Sequence, residues 1–206
     1  MKFKPVSRLY AIFSLFLLFT LLLLISSCDT QRPYLKSEEP ALQEVELNGI
    51  HVECLYMNFN DIEKKHGWKA NPFLPPDLAI TTKQTLVFDL KITNKDNTPV
   101  VLNRKNVTLH FGDKNSMPMS MADMADKIDE YAERADNLSE NRVAKQYMLP
   151  SVTTINGNKT TTGYLVFMGG FSGRNIPTEL TLTFTTPNGN TAADITFAYT
   201  LTLLKK

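Results

Sequence analysis

The sequence predicts a mainly β protein, an antiparallel β-sandwich of about seven strands with an inserted amphipathic helix. Three observations predict this fold. From Glu44 onward, apolar and polar residues alternate with a period of two, which is typical of strands that bury one face. Turn-forming clusters separate the alternating runs, and few connections are long enough to cross a parallel sheet. The roughly 160 residues of this region can bury one core.

The first alternating run changes phase in its middle. The apolar residues Val45 and Leu47 occupy odd-numbered positions. Those that follow Asn48-Gly49 occupy even-numbered positions, namely Ile50, Val52, Cys54 and Tyr56. Either a tight hairpin or a bulged single strand explains this switch. A short helix is then predicted over Asp61–His66, with Asn60 as its N-cap and Gly67 as its end.

Two long strands follow, separated by the turn cluster Asn94–Pro99. The first strand alternates through Leu86, Phe88, Leu90 and Ile92. The second runs over Val100–Phe111 and places Val107, Leu109 and Phe111 on one side.

An insertion of about residues 118–140 breaks the two-residue period. Met121, Met124, Ile128 and Tyr131 are spaced as the apolar stripe of an amphipathic helix. Ser120 precedes Asp123 at capping-box spacing and marks the start of this helix.

The final third of the chain returns to strands. Tyr164–Met168 is apolar on both faces, so we expect a central strand there. Leu180–Phe184 and Ile195–Leu203 alternate on either side of Pro187-Asn188-Gly189, and they predict a hairpin.

The pattern of short strands and turn-rich runs, such as 92–100 and 178–184, resembles the small immunoglobulin-like domains carried by bacterial lipoproteins. This resemblance implies an immunoglobulin-like sandwich over most of residues 45–206. The resemblance lies in the pattern of strands and turns alone, because the Cys–Trp–Cys hallmark of true immunoglobulin domains is absent.

The first 28 residues carry the features of an export signal. Lys2, Lys4 and Arg8 precede the uncharged stretch from Leu9 to Ile25. That stretch ends in Ile25-Ser26-Ser27-Cys28, which resembles the bacterial lipobox. The resemblance implies cleavage before Cys28, lipid on that cysteine, and a membrane-anchored protein of the bacterial cell envelope that faces the periplasm or the cell surface.

An uncleaved transmembrane helix is the alternative, because the apolar stretch approaches the minimum length of a membrane span. The lipoprotein reading divides the chain into a signal peptide (1–27), the lipidated cysteine with a flexible tether (28–43), and the sandwich domain (44–206). Pro33, Pro40 and Glu38-Glu39 lie in this tether, which shows no apolar period.

Composition limits the possible partners. All 21 acidic residues follow Cys28, as do all but three of the 22 basic residues, so the exported part is close to neutral. We therefore expect no nucleic acid partner, which would require a concentrated basic face. Cys54 has no cysteine to pair with once Cys28 is lipidated, and its apolar surroundings predict a small buried side chain.

No catalytic grouping and no bound cofactor are predicted. Met117, Met119, Met121 and Met124 offer soft thioether ligands suited to Cu(I), although core packing explains the same residues more simply. None of the three histidines has metal-ligand spacing, and His51 and His110 are expected on the outward side of strands.

Two segments are candidate contacts with a partner protein. Trp68, Phe73 and Leu74 lie in a proline-rich stretch that either presents aromatic anchors or folds back over an open end of the sandwich. Phe171 lies in the glycine-rich run 169–174, which is expected to be a flexible loop between strands and matches neither a nucleophile elbow nor a phosphate loop.

These observations predict a non-enzymatic, lipid-anchored envelope protein that binds or assembles with another envelope protein. The Phe73 loop and the helix around Met121 and Tyr131 are its expected contact surfaces. The alternative is a lipoprotein that binds a small ligand or Cu(I) through the methionine run.

Overall fold

The structure, a computed structural model, describes residues 34–67, 83–130, 137–170 and 175–204. These residues form the strands β1 Tyr34–Ser37, β2 Leu42–Leu47, β3 Ile50–Met57, β4 Lys83–Asn94, β5 Val100–Phe111, β6 Lys114–Ser116, β7 Val152–Ile155, β8 Lys159–Gly170, β9 Ile176–Thr185 and β10 Thr191–Leu204. They also form the helices α1 Phe59–His66, α2 Met121–Glu130 and α3 Asn137–Tyr147.

The strands form two antiparallel sheets. The six-stranded sheet has the order β1-β10-β9-β5-β6, with β7 also paired to β5, and the four-stranded sheet has the order β2-β3-β4-β8. The prediction of a mainly β, antiparallel sandwich is therefore confirmed. The described residues contain ten strands where about seven were expected, since strands of three or four residues show too few alternations to stand out in a sequence.

A single apolar core lies between the two sheets. Leu86, Phe88, Leu90 and Ile92 of β4 are fully buried in it, as their alternation predicts. The six-stranded sheet contributes side chains such as Phe184 and Phe197. The long strands β4, β5, β9 and β10 bury alternate residues in this core, and the hydrophobic contribution of these residues holds the sheets face to face.

The phase change in the first run is a hairpin, not a bulged strand. β2 and β3 pair antiparallel with Leu47 opposite Ile50. The two turn residues both have positive φ, 49° at Asn48 and 73° at Gly49, which is the combination of a type I′ turn. A Cβ atom at Gly49 would also lie 2.5 Å from the Asp96 carboxylate, which would have to move, so both the positive φ and the available space favour glycine here.

The sandwich begins earlier than the predicted boundary at residue 44. Residues 34–37, expected in the tether, form β1, which pairs with β10 from Tyr34 opposite Leu204 to Ser37 opposite Leu201. Leu35 is 1% exposed and belongs to the main core. Four residues are too few to display a period, and only the pairing with a distant strand orders them.

The two glutamates of the expected tether also contact the sandwich. The Glu39 carboxylate accepts hydrogen bonds from the Thr200 N–H at 2.5 Å and the Thr200 hydroxyl at 2.8 Å, and these bonds lower the pKa of Glu39. Glu38 accepts a hydrogen bond from the Thr202 hydroxyl. Glu39 thus satisfies a backbone N–H of β10 just beyond the part that pairs with β1, where the strand would otherwise be open to further pairing.

The strand around Tyr164–Met168 is not central, contrary to expectation. It belongs to β8, which lies at the edge of the four-stranded sheet. Its outer side is nevertheless apolar because the helices cover it, and Tyr164 and Val166 pack beneath them. The Met119 N–H donates to the Val166 carbonyl, and the Leu149 N–H donates to the Tyr164 carbonyl, so chain segments flanking the helices bond to this edge.

The predicted insertion contains two helices rather than one. Ser120 begins α2 as predicted, because its hydroxyl accepts from the Asp123 N–H at 3.1 Å while its own N–H donates to the Asp123 carboxylate at 2.6 Å. The second helix, α3, extends to Tyr147. The side chains of Ile128 and Tyr131 lie outside the described residues.

The short helix α1 begins two residues before the predicted start. Its N-cap is Asn58, not Asn60, and Asn58 forms a reciprocal capping box with Asp61. Gly67 ends this helix with a φ of 77°, as predicted. No helix in the described part of the chain is long and apolar enough to cross a membrane.

The hairpin predicted near the end of the sequence is confirmed. β9 pairs with β10, with Leu182 opposite Ile195 and Leu180 opposite Phe197. The turn between them spans Thr186–Asn190, where the Thr186 N–H donates to the Asn190 carbonyl at 2.8 Å.

Candidate functional site

The outer face of the four-stranded sheet is divided into a covered part and an open part. The covered part lies under the helices, where a second apolar cluster excludes solvent. Its buried members are Met57, Ile62, Val87, Met124, Val143, Ala144, Met148, Tyr164 and Val166. The open part begins after Val87 on β4, where the next outward-facing residues are Asp89 and Lys91.

An open groove of roughly 530 Å³ lies on this open part. Its floor includes Asp89 and Lys91 of β4 and Thr162 of β8, and one wall is formed by Lys65 of α1 and Tyr147 of α3. All four strands of the sheet and the two helices α1 and α3 contribute side chains to it.

The charges in the groove are paired with one another. The Lys65 ammonium lies 3.1 Å from the Asp89 carboxylate, and the Lys91 ammonium lies 2.5 Å from that of Glu53. Glu53 and Lys91 are directly opposite across β3 and β4, so the register of these strands creates the second pair. The groove therefore presents both signs of charge with little net charge.

Aromatic side chains form the wall beside these charges. The rings of Tyr147 and Tyr164 stack with centroids 5.3 Å apart. The Lys65 ammonium lies 4.9 Å from the centroid of the Tyr164 ring, which allows a cation–π contact. His66 lies edge-on to Tyr147, and its Nε2 is 3.2 Å from the Tyr164 hydroxyl oxygen.

The surroundings of these groups shift their pKa values. Burial lowers the pKa of His66, and the neighbouring Lys65 lowers it further. Burial also raises the pKa of Tyr164 despite its hydrogen bond with Lys65. For Lys65, burial favours the neutral amine, but hydrogen bonds with Tyr164 and Asp89 outweigh it and raise the pKa. Near neutral pH, His66 and Tyr164 are therefore uncharged and Lys65 is charged.

A second polar group lies on the same sheet, at the β2–β3 hairpin. His51 has ring nitrogens 3.8 Å from carboxylate oxygens of Glu44, Glu46 and Glu53. Lys95 binds Glu46 at 2.6 Å and lowers the pKa of that carboxyl through the hydrogen bond. Within the described ranges, no group of three or more histidine, cysteine, aspartate or glutamate side chains is arranged to hold a metal ion.

The methionine run does not form one cluster at the surface. Met124 is fully buried in the second apolar cluster, and Met119 and Met121 pack against that cluster. Met117 is 60% exposed. Apolar packing thus accounts for three of the four side chains, and the Cu(I) hypothesis stays a prediction.

Several predicted positions are found as expected. Cys54 is fully buried, and burial raises the pKa of its thiol to about 12. His51 and His110 face outward from β3 and β5, and His110 is exposed. Within the run 169–174, Gly169 and Gly170 are the last residues of β8, and residues 171–174 lie outside the described residues.

The residues predicted to carry lipid or contact a partner are Cys28, Trp68, Phe73, Leu74 and Phe171. All five lie outside the described residues, so these predictions stay predictions. The structure instead brings together Lys65, Asp89, Lys91, Tyr147 and Tyr164, none of which is among the predicted site residues. One signal could have pointed to them: the outward positions of β4 change from Val87 to Asp89 and Lys91, which marks where a covering layer ends.

No protein-family model matches the chain, and no curated protein matches it. Among solved structures, a similar one is the crystal structure of a "putative lipoprotein (ycdA)" from Bacillus subtilis, with 16% sequence identity and a TM-score of 0.43. The similarity covers 79% of this chain and 39% of that protein, so the chain corresponds to well under half of its length.

Proposed function

We propose that this protein is a lipid-anchored protein of the bacterial cell envelope whose sandwich is a non-catalytic domain that binds another envelope protein through the groove on its four-stranded sheet. The anchor is supported by the charged start, the apolar stretch and the sequence Ile25-Ser26-Ser27-Cys28. The binding role is carried by one observation, the open groove in which paired charges lie beside apolar and aromatic side chains.

The composition of the groove suits a protein partner. Leu42, which is 46% exposed, the partly buried Leu55 and Tyr147 offer apolar contact area. The pairs Lys65–Asp89 and Lys91–Glu53 lie among these side chains and offer donors and acceptors. Interfaces between proteins that also exist apart are about as polar as the rest of a protein surface, so a groove that combines apolar area with charges of both signs suits such a partner.

The pairing of titratable groups favours binding over catalysis. An acid or base in a reaction must exchange its proton with a substrate. In the groove, Lys65 is bound to Asp89 and Lys91 to Glu53, and His66 contacts the groove residue Tyr164. These pairs hold the side chains in fixed positions, which benefits recognition.

The anchor is tested by palmitate labelling in cells that express the full chain. The wild-type protein should incorporate label and co-sediment with membranes, whereas Cys28→Ala should lose the label and retain the signal peptide, visible as a larger protein on a gel. Equal labelling of both proteins, or labelling of neither, would contradict the anchor.

The groove is tested with a photo-crosslinking amino acid placed in cells at one of two exposed strand threonines. Thr162 lines the groove on β8, whereas Thr154 lies on β7 of the other sheet. A discrete crosslinked species should form from position 162 and not from 154. Unlabelled Thr162→Arg, which fills the groove, should compete poorly for the partner, and Thr154→Arg should compete normally. Equal crosslinking from both positions would rule out the groove as the interface.

A further inference from the structure

The two edge strands of the four-stranded sheet, β2 and β8, have different surroundings. Other parts of the chain bond to the edge of β8. The Val166 carbonyl accepts from the Met119 N–H at 2.7 Å, and the Tyr164 carbonyl accepts from the Leu149 N–H at 3.0 Å. These bonds occupy backbone groups that would otherwise be open to a further strand.

The backbone of β2 has groups that point away from the sheet. The Tyr56 N–H donates to the Ala41 carbonyl at 2.8 Å, so odd-numbered residues from Ala41 onward bond to β3. The N–H and C=O groups of Leu42, Glu44 and Glu46 therefore point outward. Within the described ranges, no hydrogen bond is made at these outward groups.

The edges of the six-stranded sheet are protected in two ways. β1, β6 and β7 have only three or four residues each, and such short strands offer little backbone for pairing. On the longer β10, the Ala198 carbonyl accepts from the Gln43 amide at 2.7 Å, and the Ala192 carbonyl accepts from the Asn48 amide at 2.8 Å. Side chains of the β2–β3 hairpin thus partly occupy the edge of β10, whereas no described residue occupies the edge of β2.

β2 also exposes apolar side chains on both of its faces. Leu42 is 46% exposed and lies at the margin of the groove. Leu47 is 40% exposed and lies on the other face, because the side chains of a strand alternate. A strand paired to β2 would cover both leucines and would extend the floor of the groove.

The charges beside β2 determine which strand fits. The ammonium groups of Lys91 and Lys95 bind the other two outward-facing glutamates of the hairpin, which leaves Glu44. Among the described residues, the only cationic or titratable nitrogen within 4 Å of the Glu44 carboxylate belongs to His51, at 3.8 Å. An added strand would place a side chain about 5 Å from that of Glu44, so a lysine or arginine there would complete a third ion pair.

The same charges disfavour a second copy of this protein at this edge. β2 carries two glutamates and no basic residue. If two copies of β2 paired over most of their length, Glu44 and Glu46 of one strand would face the same residues of the other. Like charges in opposing positions destabilise a sheet.

We propose that the edge of β2 pairs with an extended strand of the partner protein, and that this strand carries a lysine or arginine opposite Glu44. The proposal rests on the proposed binding role of the groove and specifies how the partner is held. Main-chain hydrogen bonds to an open edge supply affinity, and the alternating side chains of the added strand supply specificity. Because Leu42 borders the groove, the outward side chains of that strand contact its margin.

The open edge is tested first in the free protein by amide hydrogen exchange. The N–H groups of Glu44 and Glu46 should exchange at least about tenfold faster than that of Val45, which bonds to β3. Equal protection at the three positions would mean that the chain itself or a second copy already covers the edge, and would overturn the proposal.

The backbone contact is tested in cells with the photo-crosslinking amino acid at position 162. Glu46→Pro removes an outward N–H, and Glu46→Ala keeps it, while both variants lose the ion pair with Lys95. Glu46→Pro should lower the yield of the crosslinked species at least about fivefold relative to Glu46→Ala, because a main-chain hydrogen bond is lost. Urea unfolding checks that both variants are folded.

The charge contact is tested with variants that leave the backbone unchanged. Glu44→Gln should lower the crosslinking yield by roughly two- to fivefold, and Glu44→Lys should lower it further, because it places like charges opposite each other. The matched control is Glu179→Lys, at an exposed position on β9 of the other sheet, which should leave the yield unchanged. Equal yields from Glu44→Lys and Glu179→Lys would overturn the basic residue opposite Glu44.

The outcomes separate this proposal from the one beneath it. If the wild-type chain gives no crosslinked species from position 162, the groove fails as a binding site and the added strand fails with it. If the species forms but Glu46→Pro and Glu46→Ala give the same yield, the groove stands and strand addition at β2 is overturned.

Discussion

The two faces of the four-stranded sheet are built from alternate residues of the same strands, yet their surroundings differ. On β4, Leu86, Phe88 and Leu90 enter the core between the sheets. Of the residues between them, Val87 is buried under the helices, whereas Asp89 lies in the groove. The inner face is therefore apolar along its length, and the outer face changes from apolar to charged within two residues.

This difference suggests that the inner face serves folding and the open outer face serves binding. The inner face meets another sheet along its whole length, so its burial determines whether the domain folds. The covered outer face meets only short helices, and its cluster includes the adaptable side chains Met57, Met124 and Met148. The open outer face is free to bind a partner. Substitutions on the three surfaces should therefore lower the free energy of unfolding by successively smaller amounts.

The largest effect is expected on the inner face. Phe88 is fully buried, and its ring lies within 6 Å of those of Tyr56, Phe167 and Tyr199, at centroid distances of 5.6, 5.9 and 5.7 Å. Phe88→Ala should lower the free energy of unfolding by about 3–5 kcal/mol, because it leaves a cavity between two sheets that cannot close. Urea unfolding followed by circular dichroism measures this loss. A loss below about 1 kcal/mol would contradict the dominance of the inner face.

A smaller effect is expected under the helices. Met124→Ala should cost about 2 kcal/mol, at the low end for such truncations, because flexible methionines and short helices can settle into the space. Amide hydrogen exchange should accelerate in α2 and α3 and remain slow in β9 and β10. Acceleration in all four elements would mean that the two clusters form one cooperative unit.

The inner face is also the part that could be predicted from the sequence. The alternation in β4, β5, β9 and β10 identified the buried side chains, because a strand between core and solvent must alternate. The Asn48-Gly49 pair left two possible structures for the first alternating run, a tight hairpin or a bulged single strand. What alternation could not show was the position of β8. A strand that is apolar on both faces is explained equally by neighbouring strands or by a covering helix, and the helices provided the cover.

The groove could not be predicted for a related reason. His66 and Tyr164 are separated by 98 positions, and Lys65 and Asp89 by 24. The change from Val87 to Asp89 along β4 marks where the cover ends, but only the packing of α1 and α3 on the sheet shows which side chains meet there. β1 was missed because its pairing partner lies at the far end of the chain.

The N-cap at the start of α2 should contribute about 1 kcal/mol to the free energy of unfolding. Ser120→Ala removes the hydroxyl that accepts a hydrogen bond from the Asp123 N–H, and the loss of such an N-cap interaction costs about this much. The control is Ser151→Ala, because Ser151 is exposed and caps no helix.

The hydrogen bonds from Ser120 lower the pKa of Asp123 below its usual 3.8. The ionised carboxylate therefore stabilises the fold above that pH, and this contribution is lost as the pH falls through the lowered pKa.

The measurement is thermal unfolding of the wild type and Asp123→Asn between pH 2 and pH 7. The variant should be less stable at neutral pH, and the difference should shrink in acid. A difference that stays constant across this range would show that the charge of Asp123 does not contribute.

The smallest effect on stability is expected in the groove. The ammonium of Lys91 and the carboxylate of Glu53 are 50% and 26% exposed as side chains, so solvent screens their interaction. A double-mutant cycle with Lys91→Gln and Glu53→Gln should give a coupling below about 1 kcal/mol that decreases with added salt. The same single variants should nevertheless weaken crosslinking from position 162, because each leaves its partner's charge unpaired where the envelope protein would bind. Strong coupling together with unchanged crosslinking would make the pair a structural feature of the sheet and remove the main reason for placing the binding site on this face.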